Sequence, residues 1–351
     1  MPTPSRRRQT RPDAPEAPDA SDAPAVSTPR RRATIHDVAE HAGVSIGTVS
    51  RALNDRAGVH PDTRLRVLAS AAALTYDPDK AARELSNRRA VDIALSVAHG
   101  YRRLTPFFGL FLQHLSEQLA VEGLQVREVA SGDDGLPVRD ADAFVLLDAH
   151  PDDPRIGHLA RSGRAFVLVG HAHDVRCVAA DDVAGGRIAA EHLLRLGHVD
   201  SVHLTADLHA QAFADRAHGF AAAFEAAGAD QPTTIVADDA STLGGYRAMR
   251  AHLEGGTRPG AVFAATDELA IGCVTAAADL GLRVPSDLSV VGFDDLPELG
   301  ARLTTVRQDI ALLARETVTL LHEALAGAAV RAVRLPVTLV SRGTTAERRN
   351  R

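Results

Sequence analysis

The chain of 351 residues contains no tryptophan, only two cysteines, and aromatic residues at 4%. Cys177 and Cys273 are too few for a disulfide framework and lack the paired spacing of a zinc site. A disulfide-stapled secreted domain is therefore not expected, and the reducing cytosol is the expected compartment. No run of about 18 consecutive apolar residues is present, so no helical membrane span and no membrane partner are expected. Chemistry-bearing motifs are also missing: no G-x-G-x-x-G, P-loop, H-E-x-x-H or S-x-x-K stands in a suitable context. His171 and His173 have no Cys or carboxylate cluster beside them and read as a surface loop rather than a metal site. Asp294 and Asp295 are adjacent, and neighbours on a strand end point to opposite sides, so they cannot flank one bond as paired catalytic carboxylates do. Neither a catalytic centre, a metal nor a cofactor is expected.

What is present suits two or three globular units: hydrophobic residues make up 45% and charged residues 24%. The net charge of -6 is unevenly spread, with residues 1–90 at net +4 and the remainder at net -10. A basic front end on an acidic body fits nucleic-acid binding or simply a solvated basic face, and a motif must decide between them.

Residues 1–33, rich in Pro, Ala, Ser, Asp and Arg, have no periodic apolar face and read as a disordered tail. Arg6, Arg7 and Arg8 are not followed by an apolar segment, so an export signal is rejected. From Thr34 the texture becomes short helical segments. Beyond Ala90, apolar runs such as Ala143 to Leu147, Ala165 to Val169 and Ala261 to Ala264 alternate with amphipathic stretches such as Phe108 to Val121, Val183 to Leu196 and Ile310 to Leu325. That alternation predicts an α/β fold of parallel sheets covered on both faces. Six or more such units favour two doubly wound subdomains.

Thr34, with Asp37 three residues on, starts a first helix that Gly43 can stop; Ser45 can cap a second helix running to about Asn54. Val44, Val49 and Leu53 face inward, leaving Ile46, Gly47, Ser50, Arg51 and Asn54 outward. Arg can pair bidentately with guanine, Asn with adenine, and an apolar side chain such as Ile46 can touch a thymine methyl. Thr34, Ser45, Thr48 and Thr63, at helix starts, suit phosphates. A third helix follows His60, with Leu65, Val67, Leu68 and Ala71 at core spacing. Gly43 to Gly47 also matches G-x-S-x-G, but the preceding segment reads as helix, so Ser45 is a cap and not a nucleophile.

The stretch ATIHDVAEHAGVSIGTVSRALN, Ala33 to Asn54, closely resembles the start of LacI/GalR-family repressors, and the resemblance extends over the chain beyond the tail. Tyr76 to Pro78 and Ala81 to Leu85 resemble the family's hinge, a short helix that wedges a leucine into the minor groove; Leu85 matches that wedge, with a plain interdomain linker as the other reading. The implied DNA-binding set is Thr34, Ser45, Ile46, Gly47, Thr48, Ser50, Arg51, Asn54, His60, Thr63, Tyr76 and Leu85. Further landmarks are Asp182 to His198, Arg216 to Phe220, Ala264 to Gly272, Val284 to Asp295 and Leu303 to Gln308. They imply a periplasmic-binding-protein-like sensor whose ligand lies between two subdomains. The matching positions are Phe107, Phe108, Arg216, Thr266, Asp294 and Gln308.

Their chemistry suits a polyhydroxylated, sugar-like effector: Asp294 can accept two hydrogen bonds, Arg216 can donate a planar pair and the phenylalanines can form an apolar wall. Core positions for Phe107 and Phe108, a turn cap for Asp294 and a surface charge pair for Arg216 are the other readings. Two departures stand out. Residues 131–142 are too few for the crossover helix relatives have, and the loop after Thr233 to Ala237 reads Asp238-Asp239-Ala240 where relatives often place a stacking aromatic.

The expected organisation is a tail at 1–33, a helix-turn-helix head at 34–77, a hinge helix and linker at 78–90, an effector-binding and dimerisation domain of two interleaved subdomains at 91–345, and a tail at 346–351. The expected function is a repressor acting as a homodimer on near-palindromic operator DNA, controlled by a small molecule. No heptad segment follows Val340, so a zipper tetramer is not expected. A solute-binding protein and a carbohydrate-active enzyme are the alternatives.

Overall fold

The computed structural model describes residues 35–53, 59–74, 91–98, 105–150, 152–297, 299 and 301–348, and the chain divides into two compact units between Arg89 and Ala90. In the first unit α1 (Ile35–Ala42), α2 (Ile46–Leu53) and α3 (Pro61–Ala73) enclose Val38, Ala39, Ala42, Val49, Ala52, Val67 and Ala71. Gly43 ends α1 at φ 66°, a backbone that glycine adopts without a Cβ clash. Ser45 opens α2, its Oγ accepting from the Thr48 N–H at 3.2 Å. The G-x-S-x-G segment thus sits between two helices, where its serine satisfies a helix end.

The third helix departs from expectation. Leu65 and Leu68, read as core residues, are 66% and 46% exposed. The inward stripe keeps the expected Val67 and Ala71 and adds Ser70, whose Oγ lies 3.0 Å from His41 Nδ1. Apolar residues stand on more than one face of α3, and two short neighbouring helices cover only one of them. The expected tail at 1–33, the hinge at 78–90, and Thr34, Asn54, Tyr76 and Leu85 lie outside the described residues.

The second unit contains two six-stranded sheets. Its elements run β1 (Ile93–Val97), α4 (Pro106–Val121), β2 (Val126–Val129), β3 (Ala143–Leu147), α5 (Pro154–Arg161), β4 (Ala165–Val169), β5 (Cys177–Ala180), α6 (Asp182–Arg195), β6 (Ser201–Thr205), α7 (Gln211–Ala226), β7 (Thr233–Val236), α8 (Thr242–Glu254), β8 (Ala261–Ala264), α9 (Asp267–Asp279), β9 (Ser289–Asp294), β10 (Thr304–Gln308), α10 (Ile310–Leu325), β11 (Ala332–Leu335) and β12 (Val337–Val340). The first sheet has the order β2-β1-β3-β4-β5-β11 with every pairing parallel. The second has the order β7-β6-β8-β9-β10-β12, parallel except for the last, antiparallel pair.

The chain passes between the sheets after β5, after β10 and between β11 and β12, so neither subdomain is a continuous segment. The central strands β1, β3, β6, β8 and β9 are buried along their length, as required of parallel strands with both faces covered. In the second sheet, Leu193, Phe220, Phe224, Phe263 and Phe293 pack on one face and Leu253, Leu269, Val262 and Val290 on the other.

The first sheet is less evenly covered. One face packs Leu95, Val145 and Val167 against Phe111 and Leu115 of α4 and Leu321 of α10. The other carries Ala94, Phe144, Leu146 and Leu168 with Leu159 of the eight-residue α5. The β2–β3 connection forms turns and a Ser131–Pro137 bridge with no helix, as its shortness predicts. Residues after β12 are tied back to the second unit: Ala346 N–H donates to Ser289 Oγ at 3.1 Å and Arg348 N–H to the Leu196 carbonyl at 2.8 Å.

Candidate functional site

The carboxyl ends of the strands in both sheets point toward one cleft. A cavity of about 190 Å³ opens there, lined by the ends of β3, β4 and β5 from the first sheet and of β9 and β10 from the second. Crevices at such strand ends are where doubly wound folds bind ligands. Phe107, Arg216, Thr266, Asp294 and Gln308 all line it. Phe108 does not: at 1% exposure it lies in the core with Phe111 and Leu115. On a helix, neighbours 100° apart cannot both face the cavity, and the core takes the second phenylalanine.

Arg216 is placed by a close helix crossing. A Cβ at Gly219 would lie 2.0 Å from the Val183 carbonyl oxygen, and one at Gly186 would lie 2.1 Å from that of Arg216, so α6 and α7 meet backbone to backbone. That crossing sets Arg216 beside Asp182 at the start of α6. Arg216 Nε donates to Asp182 Oδ1 at 2.8 Å and Nη1 to the Ala265 carbonyl at 2.6 Å, while the guanidinium carbon stands 3.6 Å from the Phe293 ring centre. The planar pair of donors expected to face a ligand is largely committed within the protein. Arg216 is a buried strut at the cavity floor, with Asp294 Oδ1 at 3.9 Å.

Asp294 ends β9 at φ 116°, and Asp148, on the opposite wall, has φ 53°. Such backbone is sparsely populated by side chains other than glycine and persists where the surroundings over-determine it. Gln308 Nε2 donates to Asp294 Oδ1 at 2.6 Å. Asp295 turns the other way, to Arg307 Nε and Arg342 Nη2, both at 2.6 Å. The divergence of the two aspartates follows the strand-end expectation. Thr266 caps α9, its Oγ1 accepting from Leu269 N–H at 3.2 Å.

The electrostatics of the wall were not legible beforehand. Asp148, Asp182, Glu268 and Asp294 face the cavity with Arg216 as the one cation among the lining residues. Burial pushes the Asp294 carboxyl up to about 8 against the pull of Arg216. Burial, aided by Asp239 and Asp267, pushes Glu268 up to about 7. Asp148 and Asp182 are also raised by burial, the latter against Arg216. A carboxyl held toward its neutral form, as in Asp294 and Glu268, can donate as well as accept a hydrogen bond, which suits hydroxyl groups. Asp182 and Glu268 each follow a strand end, β5 and β8, and that position is the signal that could have found them.

In the head, Ser45 Oγ lies 2.9 Å from Thr48 Oγ1 at the exposed start of α2. His60 caps α3, its Nδ1 accepting from Asp62 N–H at 3.4 Å, and Thr63 is half-buried in the first turn. Ile46, Gly47, Ser50 and Arg51 are on α2, with their side chains outside the described set. Among the described residues no group of three His, Cys, Asp or Glu is placed to hold a metal ion, and no helix is long and apolar enough to cross a membrane. His171 Nε2 instead lies 2.6 Å from Asp215 Oδ2.

Known proteins share both parts of this architecture. Residues 34–79 match the bacterial regulatory proteins of the lacI family, and residues 190–345 match the periplasmic binding protein-like domain. The HTH-type transcriptional regulator CelR of Thermobifida fusca is 32% identical over 326 residues, covering 87% of this chain and 96% of the relative. The lactose operon repressor of Escherichia coli K12 is 29% identical over 335 residues, covering 89% and 90%. Among solved structures, a CelR–cellobiose complex superposes with a TM-score of 0.66 at 29% identity, covering 89% of this chain and all of that one. The lac repressor dimer bound to operator and the anti-inducer ONPF superposes with a TM-score of 0.67 at 26% identity, covering 90% and 100%. A helix-turn-helix head, two interleaved doubly wound subdomains around a cleft and these relatives together establish that the chain is a transcriptional regulator, not an enzyme, and belongs to the LacI family.

Proposed function

We propose that the protein is a repressor that binds a near-palindromic operator as a homodimer and responds to an uncharged, hydroxyl-rich effector, a sugar or close analogue, in the cleft. The observation that carries the effector class is the cavity wall: Asp148, Asp182, Glu268 and Asp294 face it, and the one lining cation already donates to Asp182 and Ala265. A phosphate or carboxylate there would find the one lining cation already engaged and four acidic groups around it, whereas hydroxyls can both donate to and accept from these groups. The relative solved with cellobiose supports the same class.

Asp294 and Glu268 are the proposed hydroxyl-binding groups, with Gln308 and Thr266 beside them and Phe107 as the apolar wall. The Asp294→Ala variant is expected to lose the rise in melting temperature that neutral mono- and disaccharides give the parent protein, while its unliganded DNA binding stays within a few-fold. An undiminished rise would remove Asp294 from the site.

In the head, Arg51 and Asn54 are proposed to read base edges, with Ile46, Gly47 and Ser50 on the same surface. Thr34, Ser45, Thr48, His60 and Thr63 are proposed to meet the backbone, and the hinge from Tyr76 through Leu85 the minor groove. Each protomer would read one half-site, because one small head makes too few contacts for specific binding. A bidentate Arg–guanine pair is worth about 1–3 kcal/mol of discrimination, counted twice in a symmetric dimer. Arg51→Ala is therefore expected to abolish enrichment of a defined sequence from a random DNA pool, leaving weak salt-sensitive binding. Enrichment at the parent level would exclude Arg51 from base reading.

A further inference from the structure

We propose that His171, Asp215 and Arg334 form a latch across the cleft, which positions Gln211 against the cavity and holds the two subdomains together more tightly when His171 is protonated. His171 follows β4 and Arg334 belongs to β11, both in the first sheet's subdomain, whereas Asp215 and Gln211 are on α7 of the second. His171 Nε2 meets Asp215 Oδ2 at 2.6 Å, and Arg334 Nη1 stands 4.0 Å from the same oxygen. Gln211 Nε2 donates to Asp215 Oδ1 at 2.9 Å. One carboxylate thus ties both halves of the domain together.

Its location gives the contact leverage. Asp215 precedes Arg216, and Gln211 lines both the effector cavity and a second, outer cavity of about 640 Å³ that continues the cleft between the subdomains. The attraction through Asp215 spans the cleft, so its strength bears on how the two subdomains are placed relative to one another. A hydrogen bond between imidazolium and carboxylate is roughly twice as strong as one between neutral partners, so a proton on His171 favours the joined arrangement.

The charged groups facing His171 are Asp215 of α7 and Arg334 of β11. Asp182 of α6 interacts electrostatically with both, and His173 and Asp174 follow His171 on its own loop. Imidazole changes charge in the physiological range, while the Arg334 guanidinium keeps its charge. If binding needs the joined arrangement, apparent effector affinity scales with the fraction of protein already in it. That consequence rests on the effector-site reading above; the latch does not.

The test reads distance rather than ligand. Full-length protein carrying spin labels at Arg161→Cys on α5 and Glu225→Cys on α7, both exposed, is measured by pulsed electron resonance at pH 5.5 and pH 8.5, with excess unlabelled protein to suppress signals between protomers; native Cys177 and Cys273 are buried. The parent distribution is expected to be shorter and narrower at the lower pH. The shift should vanish in His171→Gln and Asp215→Asn, and His171→Lys should keep the short distance at both values. Glu268 and Asp294, which burial raises to about 7 and about 8, remain in His171→Gln, so the difference between the two proteins reports on the latch. Identical parent distributions at the two pH values, or an undiminished shift in His171→Gln, would overturn the proposal. Failure of the effector reading shows separately, as an intact pH shift in a protein that no neutral saccharide stabilises.

Discussion

Replacing Arg216 with methionine is expected to destabilise the sensor domain by about 3–5 kcal/mol, because it strands the Asp182 carboxylate, 5% exposed, without its partner. The Ala265 carbonyl loses its donor in the same step, and the Phe293 ring loses the cation on its face. The distinction between strut and ligand donor then becomes measurable. In the double variant Arg216→Met with Asp182→Leu the stranded charge is gone, so most of the stability should return, since apolar replacement of a complete buried pair is often neutral or favourable. The saccharide-induced rise in melting temperature should be lost in both, because the cavity floor is rebuilt in both. Urea denaturation of the single and double variants, with an unchanged slope against urea, checks the first point. A single variant as stable as the parent would show that Arg216 does not hold Asp182 in the folded protein.

A second large effect is expected at Arg155, which no sequence signal singled out. Its side chain is 1% exposed and pairs bidentately with Asp153, Nε to Oδ1 at 3.0 Å and Nη2 to Oδ2 at 2.6 Å. Nη1 also donates to the Ser96 carbonyl at 2.7 Å and Nη2 to that of Leu147 at 2.9 Å. One guanidinium therefore satisfies the carbonyls at the ends of β1 and β3, next to the cavity, on the face where the short β2–β3 connection leaves α5 as the covering helix. Arg155→Met should cost about 3–5 kcal/mol by leaving Asp153 buried and unpaired. Arg155→Lys should recover little, since a single ammonium cannot reproduce the planar fork. Chemical denaturation of the three proteins decides this; a methionine variant within about 1 kcal/mol of the parent would contradict the assigned role.

Much of the fold was legible. Ala143 to Leu147, Ala165 to Val169 and Ala261 to Ala264 are strands at the expected limits, and the helices expected at Val183 to Leu196 and Phe108 to Val121 begin one and two residues earlier. Continuous apolar runs and helical periodicity are local signals that survive tertiary packing. Strand β5, Cys177–Ala180, and helix α5, Pro154–Arg161, were not singled out: four residues, or eight with a buried arginine, offer too little pattern to rise above their surroundings. Leu65 and Leu68 were misplaced for the converse reason, since a short helix with apolar residues on several faces does not declare which face its neighbours will cover.

The reading head shows the same division. Gly43 and Ser45 act within four residues of themselves, as turn and cap, so the helix-turn-helix and the rejection of its serine as a nucleophile followed from the chain alone. The scarcity of cysteine argued against a disulfide-stapled domain and the alternation of strand and helix implied two doubly wound subdomains, while the regulator and its sensor followed from the resemblance of Ala33 to Asn54 and the later landmarks to the LacI/GalR family. Only the tertiary structure decided that Arg216 is committed to Asp182, that Phe108 belongs to the core, that Glu268 and Asp182 join the cavity wall, and that His171 reaches Asp215. Those pairings join residues up to 44 positions apart, brought together by crossovers between sheets. Burial, which sets their charge, is a property of the assembled domain and of no local segment.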